Sequence, residues 1–113
     1  MFSAGLAEGC VMDGNGMDLR DFQKLIDRMY SEKDRRRGTT GTFIWFIEEV
    51  GELASALGEG SREEKAKEFA DVLAWLATLA NVEGIDLTDA VQAKYGKGCP
   101  GCGHMVCTCQ EKP

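Results

Sequence analysis

From Asp18 onward, apolar residues return every three or four positions, and four helices follow from that spacing. Leu19, Phe22, Leu25, Ile26 and Met29 mark one face of a first helix, which Asp18 caps and which ends near Gly38. Thr39, Thr40 and Gly41 interrupt the pattern. A second helix then runs from about Thr40 to Leu57, with Phe43, Phe46, Ile47, Val50, Leu53, Ala54 and Leu57 forming a broad apolar surface. Gly58-Glu59-Gly60 is a stop and turn, and Ser61 with Glu64 has the spacing of a capping box. The third helix carries Phe69, Val72, Leu73, Leu76, Leu79 and Ala80 toward Gly84. Asp86 caps a short fourth helix, with Leu87, Ala90, Val91 and Tyr95 as its predicted buried side.

No segment alternates with the period of a strand, so the expected fold class is all-α, a bundle of about four helices. The short connection at 58–60 forces helices two and three into a central antiparallel hairpin. A chain of 113 residues forms a small core, and its apolar faces are wide enough to expect partner helices from a homodimer or homotetramer. Residues 1–16 contain four glycines and no helical period and read as a flexible leader, with Cys10 as a free thiol. The folded domain is expected at 17–96 and a Cys-rich tail at 97–113.

Acids sit inside this apolar pattern. Glu48, Glu49 and Glu52 fall on helix two, and Glu68 and Asp71 on helix three. At about 100° per residue, Glu49 and Glu52 lie within about 60° of each other, as do Glu68 and Asp71. An antiparallel hairpin brings the two acidic edges together, and bound cations relieve the repulsion among them. Oxygen donors of this kind favour Mg2+ or Mn2+, the ions that accompany polyphosphates.

The same residues, Glu48-Glu49-Val50-Gly51-Glu52 and Glu68-Phe69-Ala70-Asp71, match the E-E-x-x-E and E-x-x-D signature of the MazG-like nucleotide pyrophosphohydrolases, which this chain resembles over roughly 18–96. The resemblance implies an all-α pyrophosphatase fold assembled as dimers or tetramers. It also implies cleavage of a nucleoside triphosphate between its α and β phosphates, to the monophosphate and pyrophosphate. It makes Glu49, Glu52, Glu68 and Asp71 the magnesium ligands, and Glu48 a supporting acid or water-orienting base beside Glu49. Phosphoribosyl-ATP pyrophosphohydrolase is the alternative enzyme. A noncatalytic helical interaction module with a zinc tail is the alternative of another class.

Trp45 lies four residues before Glu49, and Trp75 four after Asp71, which puts both indoles at one end of the hairpin as candidates to stack on a base. Phe22 and Phe43 are weaker candidates. Lys24, Arg28, Lys94 and Lys97 are candidates to steady outer phosphates. Lys33 and Arg35–Arg37 suit the C-terminal end of helix one and could also face phosphate.

Composition narrows the field. A net charge of -6 argues against a nucleic-acid polymer as partner, since such proteins displace counterions with basic patches. Metal ions bound to the acids would turn the same surface into an anion trap for a nucleotide. No apolar run reaches the ~20 residues of a membrane span, and the chain opens without a signal-peptide pattern, so a cytoplasmic location is expected.

Four of the five cysteines, Cys99, Cys102, Cys107 and Cys109, lie within eleven residues in a C-x2-C-x4-C-x-C array. They are read as reduced, and as a candidate tetrahedral zinc site. The close second pair leaves His104 as an alternative ligand and a redox-sensitive tail as the alternative reading.

Overall fold

The structure is a computed structural model that describes residues 16–113; the predicted leader lies almost entirely outside the described residues. Those residues form three α-helices and no strand: α1 (Leu19–Glu59), α2 (Arg62–Glu83) and α3 (Leu87–Tyr95).

Three helices stand where four were expected, because the interruption at 38–41 is a bend within one run. Gly38 alone has non-helical torsions, φ 78° and ψ 176°, a region essentially reserved for glycine. The arms on either side, 19–37 and 39–59, correspond to the first two predicted helices. Gly41 belongs to the second arm. A Cβ there would come within 2.9 Å of the Arg37 side chain, so its role is close approach, not a break.

The ends follow from their caps. Asp18 accepts the Asp21 N–H at 2.8 Å while the Asp21 carboxylate accepts the Asp18 N–H, and Ser61 and Glu64 form the same reciprocal pair at the start of α2. Gly84 ends α2 in the left-handed conformation, and Asp86 caps α3 by accepting the Asp89 N–H.

The second arm of α1 and α2 are antiparallel: Trp45 faces Trp75, Glu49 meets Asp71, and Glu52 interacts with Glu68. The core lies between the first arm and α2, where Ile26, Ala74 and Ala77 are buried and Phe22, Met29, Tyr30 and Leu87 pack around them. Small residues on α2 let the first arm approach closely.

Gln23 ties this core to the turn before α3. Buried on α1, it donates to Asn81 Oδ1 and to the Ile85 carbonyl and accepts the Leu87 N–H at 2.8 Å, while Asn81 donates back to the Gln23 carbonyl. Arg20 adds a fork to Asp86 and Asp89 at the surface.

One expectation about burial is corrected. Val91 and Tyr95 on α3 are exposed, because α3 touches the hairpin near its start and only Leu87 reaches the core. On the second arm Phe43, Ile47, Val50 and Leu57 face outward, as do Phe69, Leu73 and Leu76 on α2; Ile44 is 65% exposed and Phe69 56%. This apolar surface is far larger than isolated surface residues require. No helix among the described residues is long and apolar enough to cross a membrane.

Candidate metal centre and nucleotide pocket

Carboxylate oxygens of Glu49, Glu68 and Asp71 all lie within 4.8 Å of one another, and all three residues are half-buried. The antiparallel hairpin produces this convergence from positions three residues apart on α2 and one position on α1. Burial first, then the charges of Asp71 and Glu68, raise the Glu49 carboxyl above its ordinary range. Glu68 is raised likewise, by burial first and then by Asp71 and Glu52. Unrelieved like charge at partly desolvated oxygens is the electrostatic signature of a site that a cation completes.

The donor set fits such an ion. Glu68 Oε1 is buried and has no hydrogen-bond partner among the described residues, a costly state for a carboxylate oxygen unless something binds it. Three carboxylates and no sulfur or imidazole match the preference of Mg2+ or Mn2+.

The remaining sequence candidates fall around or away from this centre. Glu52 is exposed and lies outside the 4.8 Å group, although its charge acts on both Glu49 and Glu68. It lines an open depression with Ser55, Glu59, Glu64 and Lys67. Glu48 is exposed beside Glu49. Lys24 and Arg28 line a groove with Asn81, Gly84 and Ile85 at the far end of α2, where Asn81 is about 15 Å of helix axis from Asp71. Lys94 sits over the Tyr95 ring on α3, away from the acids.

The two tryptophans do meet. Their rings stack with centroids 6.2 Å apart and an interplanar angle of 16°, and the Arg37 guanidinium lies 4.9 Å from the Trp75 centroid. Beside Trp75 is a cavity of about 230 Å³ lined by Ile26, Tyr30, Lys33, Asp34, Arg37 and Thr78 among others. Trp75 is one helical turn, about 6 Å along the axis, beyond Asp71.

Asp34 in this cavity is a residue the sequence did not single out. It is 3% exposed; Oδ1 accepts from Arg37 Nη1 at 2.9 Å, while Oδ2 is buried with no hydrogen-bond partner among the described residues. Arg37 also donates to the buried Thr42 hydroxyl at 3.2 Å. A lone acid within the basic run Lys33–Arg37 was the available signal, and it reads equally well as helix-surface charge until the fold sets it in one cavity with Ala74, Trp75 and Thr78 of α2.

In the tail, the sulfurs of Cys99, Cys102, Cys107 and Cys109 form a second group within 4.8 Å, all as free thiols. His104 stands outside the group, with Nδ1 3.1 Å from the Thr108 hydroxyl. Backbone N–H groups of Thr108 and then His104 bring the Cys102 thiol down to about 5.

The acidic hairpin has a counterpart among known families. The family model of the MazG nucleotide pyrophosphohydrolase domain matches residues 38–102, more than half of the chain. The chain belongs to the MazG nucleotide pyrophosphohydrolase family. It is also 41% identical over 61 residues to a protein of Cyanophage S-2L named dATP/dGTP diphosphohydrolase, an alignment covering 54% of this chain and 52% of that protein. This MazG chain thus spans about half the length of the curated relative it matches. The matched region contains both acidic motifs, the bend at Gly38 and the tryptophan pair, and reaches the first two cysteines of the tail.

Proposed function

We propose that the protein is a magnesium-dependent nucleoside triphosphate pyrophosphohydrolase acting on purine deoxynucleotides and releasing the monophosphate and pyrophosphate. The observation that carries this reading is the convergence of Glu49, Glu68 and Asp71 around a buried, unpartnered Glu68 oxygen. Those three side chains would hold the ion, and Glu52, whose charge acts on both Glu49 and Glu68, would add a carboxylate from the neighbouring turn. When bound, Mg2+ or Mn2+ neutralises phosphate oxygens and makes a water more acidic. Glu48, exposed next to Glu49, orients the attacking water and accepts its proton. The water adds in line at phosphorus as the bond between the α and β phosphates breaks, and the electron pair leaves with pyrophosphate.

The base is placed in the cavity one turn from Asp71, against Trp75. Oδ2 of Asp34 accepts a hydrogen bond there from an exocyclic amino group, a donor that adenine and guanine both carry. The Cyanophage S-2L relative's name supports a purine deoxynucleotide.

A second copy of the chain covers the apolar face formed by Phe43, Ile47, Val50, Phe69 and Leu73. That face flanks the acidic hairpin on both helices and is too large to remain wetted. Light scattering at micromolar concentration is expected to give a dimer or tetramer.

The deciding experiment is a product screen over deoxy- and ribonucleoside triphosphates with Mg2+ or Mn2+, with phosphoribosyl-ATP included as the competing substrate. The expected products are dAMP or dGMP with pyrophosphate. Release of orthophosphate with a nucleoside diphosphate, or preference for phosphoribosyl-ATP, would overturn the assignment. Glu49→Gln and Asp71→Asn are expected to lower kcat/KM on the order of 100-fold or more.

A further inference from the structure

We propose that Cys99, Cys102, Cys107 and Cys109 bind one structural zinc ion, and that this ion organises residues 98–109 into a closed knuckle at the end of α3. The four sulfurs come from two short hairpin-like turns, yet all lie within 4.8 Å of one another, and Cys99 Sγ is 4.0 Å from Cys109 Sγ. Four thiolates about 2.3 Å from a central zinc stand about 3.8 Å apart, so the arrangement is close to that of a filled tetrahedral site. It is not the arrangement of two disulfides, which would bring sulfurs to about 2.05 Å.

The backbone around the sulfurs is arranged for anionic thiolates. The Gly101 N–H donates to Cys99 Sγ at 3.3 Å, the Thr108 N–H to Cys102 Sγ at 3.4 Å, and the Cys109 N–H to Cys107 Sγ at 3.2 Å. Three of the four sulfurs therefore accept a main-chain hydrogen bond, which offsets the excess negative charge of a four-thiolate zinc complex. The first turn is closed by the Gly103 N–H to the Cys99 carbonyl at 2.7 Å and by the Cys99 N–H to the His104 carbonyl at 2.9 Å. Gly98 and Gly103 supply the positive φ values, 112° and 80°, that this path needs.

The close Cys107-Thr108-Cys109 pair, the weakest point of the motif in sequence, is accommodated because the Cys109 N–H folds back onto Cys107 Sγ. His104 is not needed as a ligand; its ring is engaged by Thr108. Four protein ligands leave no open coordination position, so the ion is structural and takes no part in hydrolysis. The tail contains no helix or strand and almost no apolar burial, so beyond its turn hydrogen bonds a zinc cross-link is what would hold it closed.

The test uses the full chain, purified reduced and without chelator, then loaded with zinc and desalted. One zinc per chain is expected by elemental analysis. Adding Co2+ to the chelator-stripped protein should give the intense visible ligand-field bands of a tetrahedral thiolate site. Glu49→Gln and Glu68→Gln should keep both signals, which separates this site from the carboxylate centre and from any failure of the enzymatic reading. The Cys99→Ser, Cys102→Ser double variant should lose both while retaining the helical circular dichroism of the wild type. In a Cys10→Ser background, four thiols should be protected from a disulfide reagent in the loaded protein and react after chelation. Wild-type protein holding less than about a tenth of an equivalent of zinc and giving no tetrahedral cobalt spectrum would overturn the proposal, as would zinc retained by the double variant.

Discussion

Asp71 on α2 lies across the hairpin from Glu49 on α1, and after burial its charge is the strongest influence raising the Glu49 carboxyl above its ordinary range. A carboxyl raised in the folded state binds its proton more tightly there than in the unfolded chain. The stability it contributes is present below the unfolded value, near 4.5, and is lost as pH rises through the folded one. Glu68 acts in the same sense. Asp86 and Glu64, both lowered, act in the opposite sense, so the whole-protein profile mixes the two. A difference measurement isolates the acidic centre. In magnesium-free buffer the Glu49→Gln variant is expected to gain stability relative to wild type between pH 4.5 and 7.5. Millimolar Mg2+ should remove that gain by stabilising the wild type alone. Thermal melts across the four conditions check it, and a pH-independent difference would refute the electrostatic account.

Base selection is expected to depend on Asp34. Asn in its place keeps the size and still accepts from Arg37, but presents an amide where the unpartnered oxygen stood. A hydrogen bond to a charged group contributes about 1.5–3 kcal/mol, so Asp34→Asn should lower kcat/KM for dATP and dGTP roughly 10- to 100-fold and change dTTP little. Competitive turnover assays with mixed substrates read this directly. An equal loss on every nucleotide would mean that Asp34 supports the fold around Arg37 and does not read the base.

Gly38 carries the whole bend of α1. Its torsions are accessible to glycine, and a Cβ added there meets nothing within 4 Å, so replacement with alanine tests backbone strain without a steric clash. Gly38→Ala is expected to cost about 1–3 kcal/mol in urea unfolding. An unchanged midpoint would show that the bend tolerates an ordinary residue.

Gln23 offers a contrasting test, of hydrogen bonding in place of torsion. Removing its side chain leaves the Ile85 carbonyl and the Leu87 N–H without their partner at the entrance to α3. Gln23→Ala should destabilise the chain by about 1–3 kcal/mol, with hydrogen exchange rising first in α3 and the tail.

The hairpin and its acids were legible because both rest on local rules. The capping box at Ser61–Glu64 fixed where α2 starts, and a three-residue spacing placed Glu68 and Asp71 on one face. Glu52 shows where such rules stop. It shares a face with Glu49 and its charge acts on Glu49 and Glu68, yet it stays exposed and outside the group of three that lies within 4.8 Å, a difference that spacing along one helix does not carry. Asp34 was invisible for a different reason, since the cavity it lines is closed by Ala74, Trp75 and Thr78 of α2, distant in sequence. Val91 and Tyr95 continue an apolar period on α3, but the helix diverges from the hairpin after its first turn. Periodicity gives the direction of a side chain and not the presence of a neighbour.

Because α1 passes through Gly38 without a loop, the chain has no slack between the residues that enclose the cavity and those that gather the acids. Inserting or deleting one residue in the 39–48 stretch would turn Glu49 by about 100° about its axis and slide it 1.5 Å along it. Glu68 and Asp71 would then be left without their counterpart. Length variation in this protein is therefore expected to be confined to the ends and to the connection at 60–61, with multiples of whole helical repeats the exception.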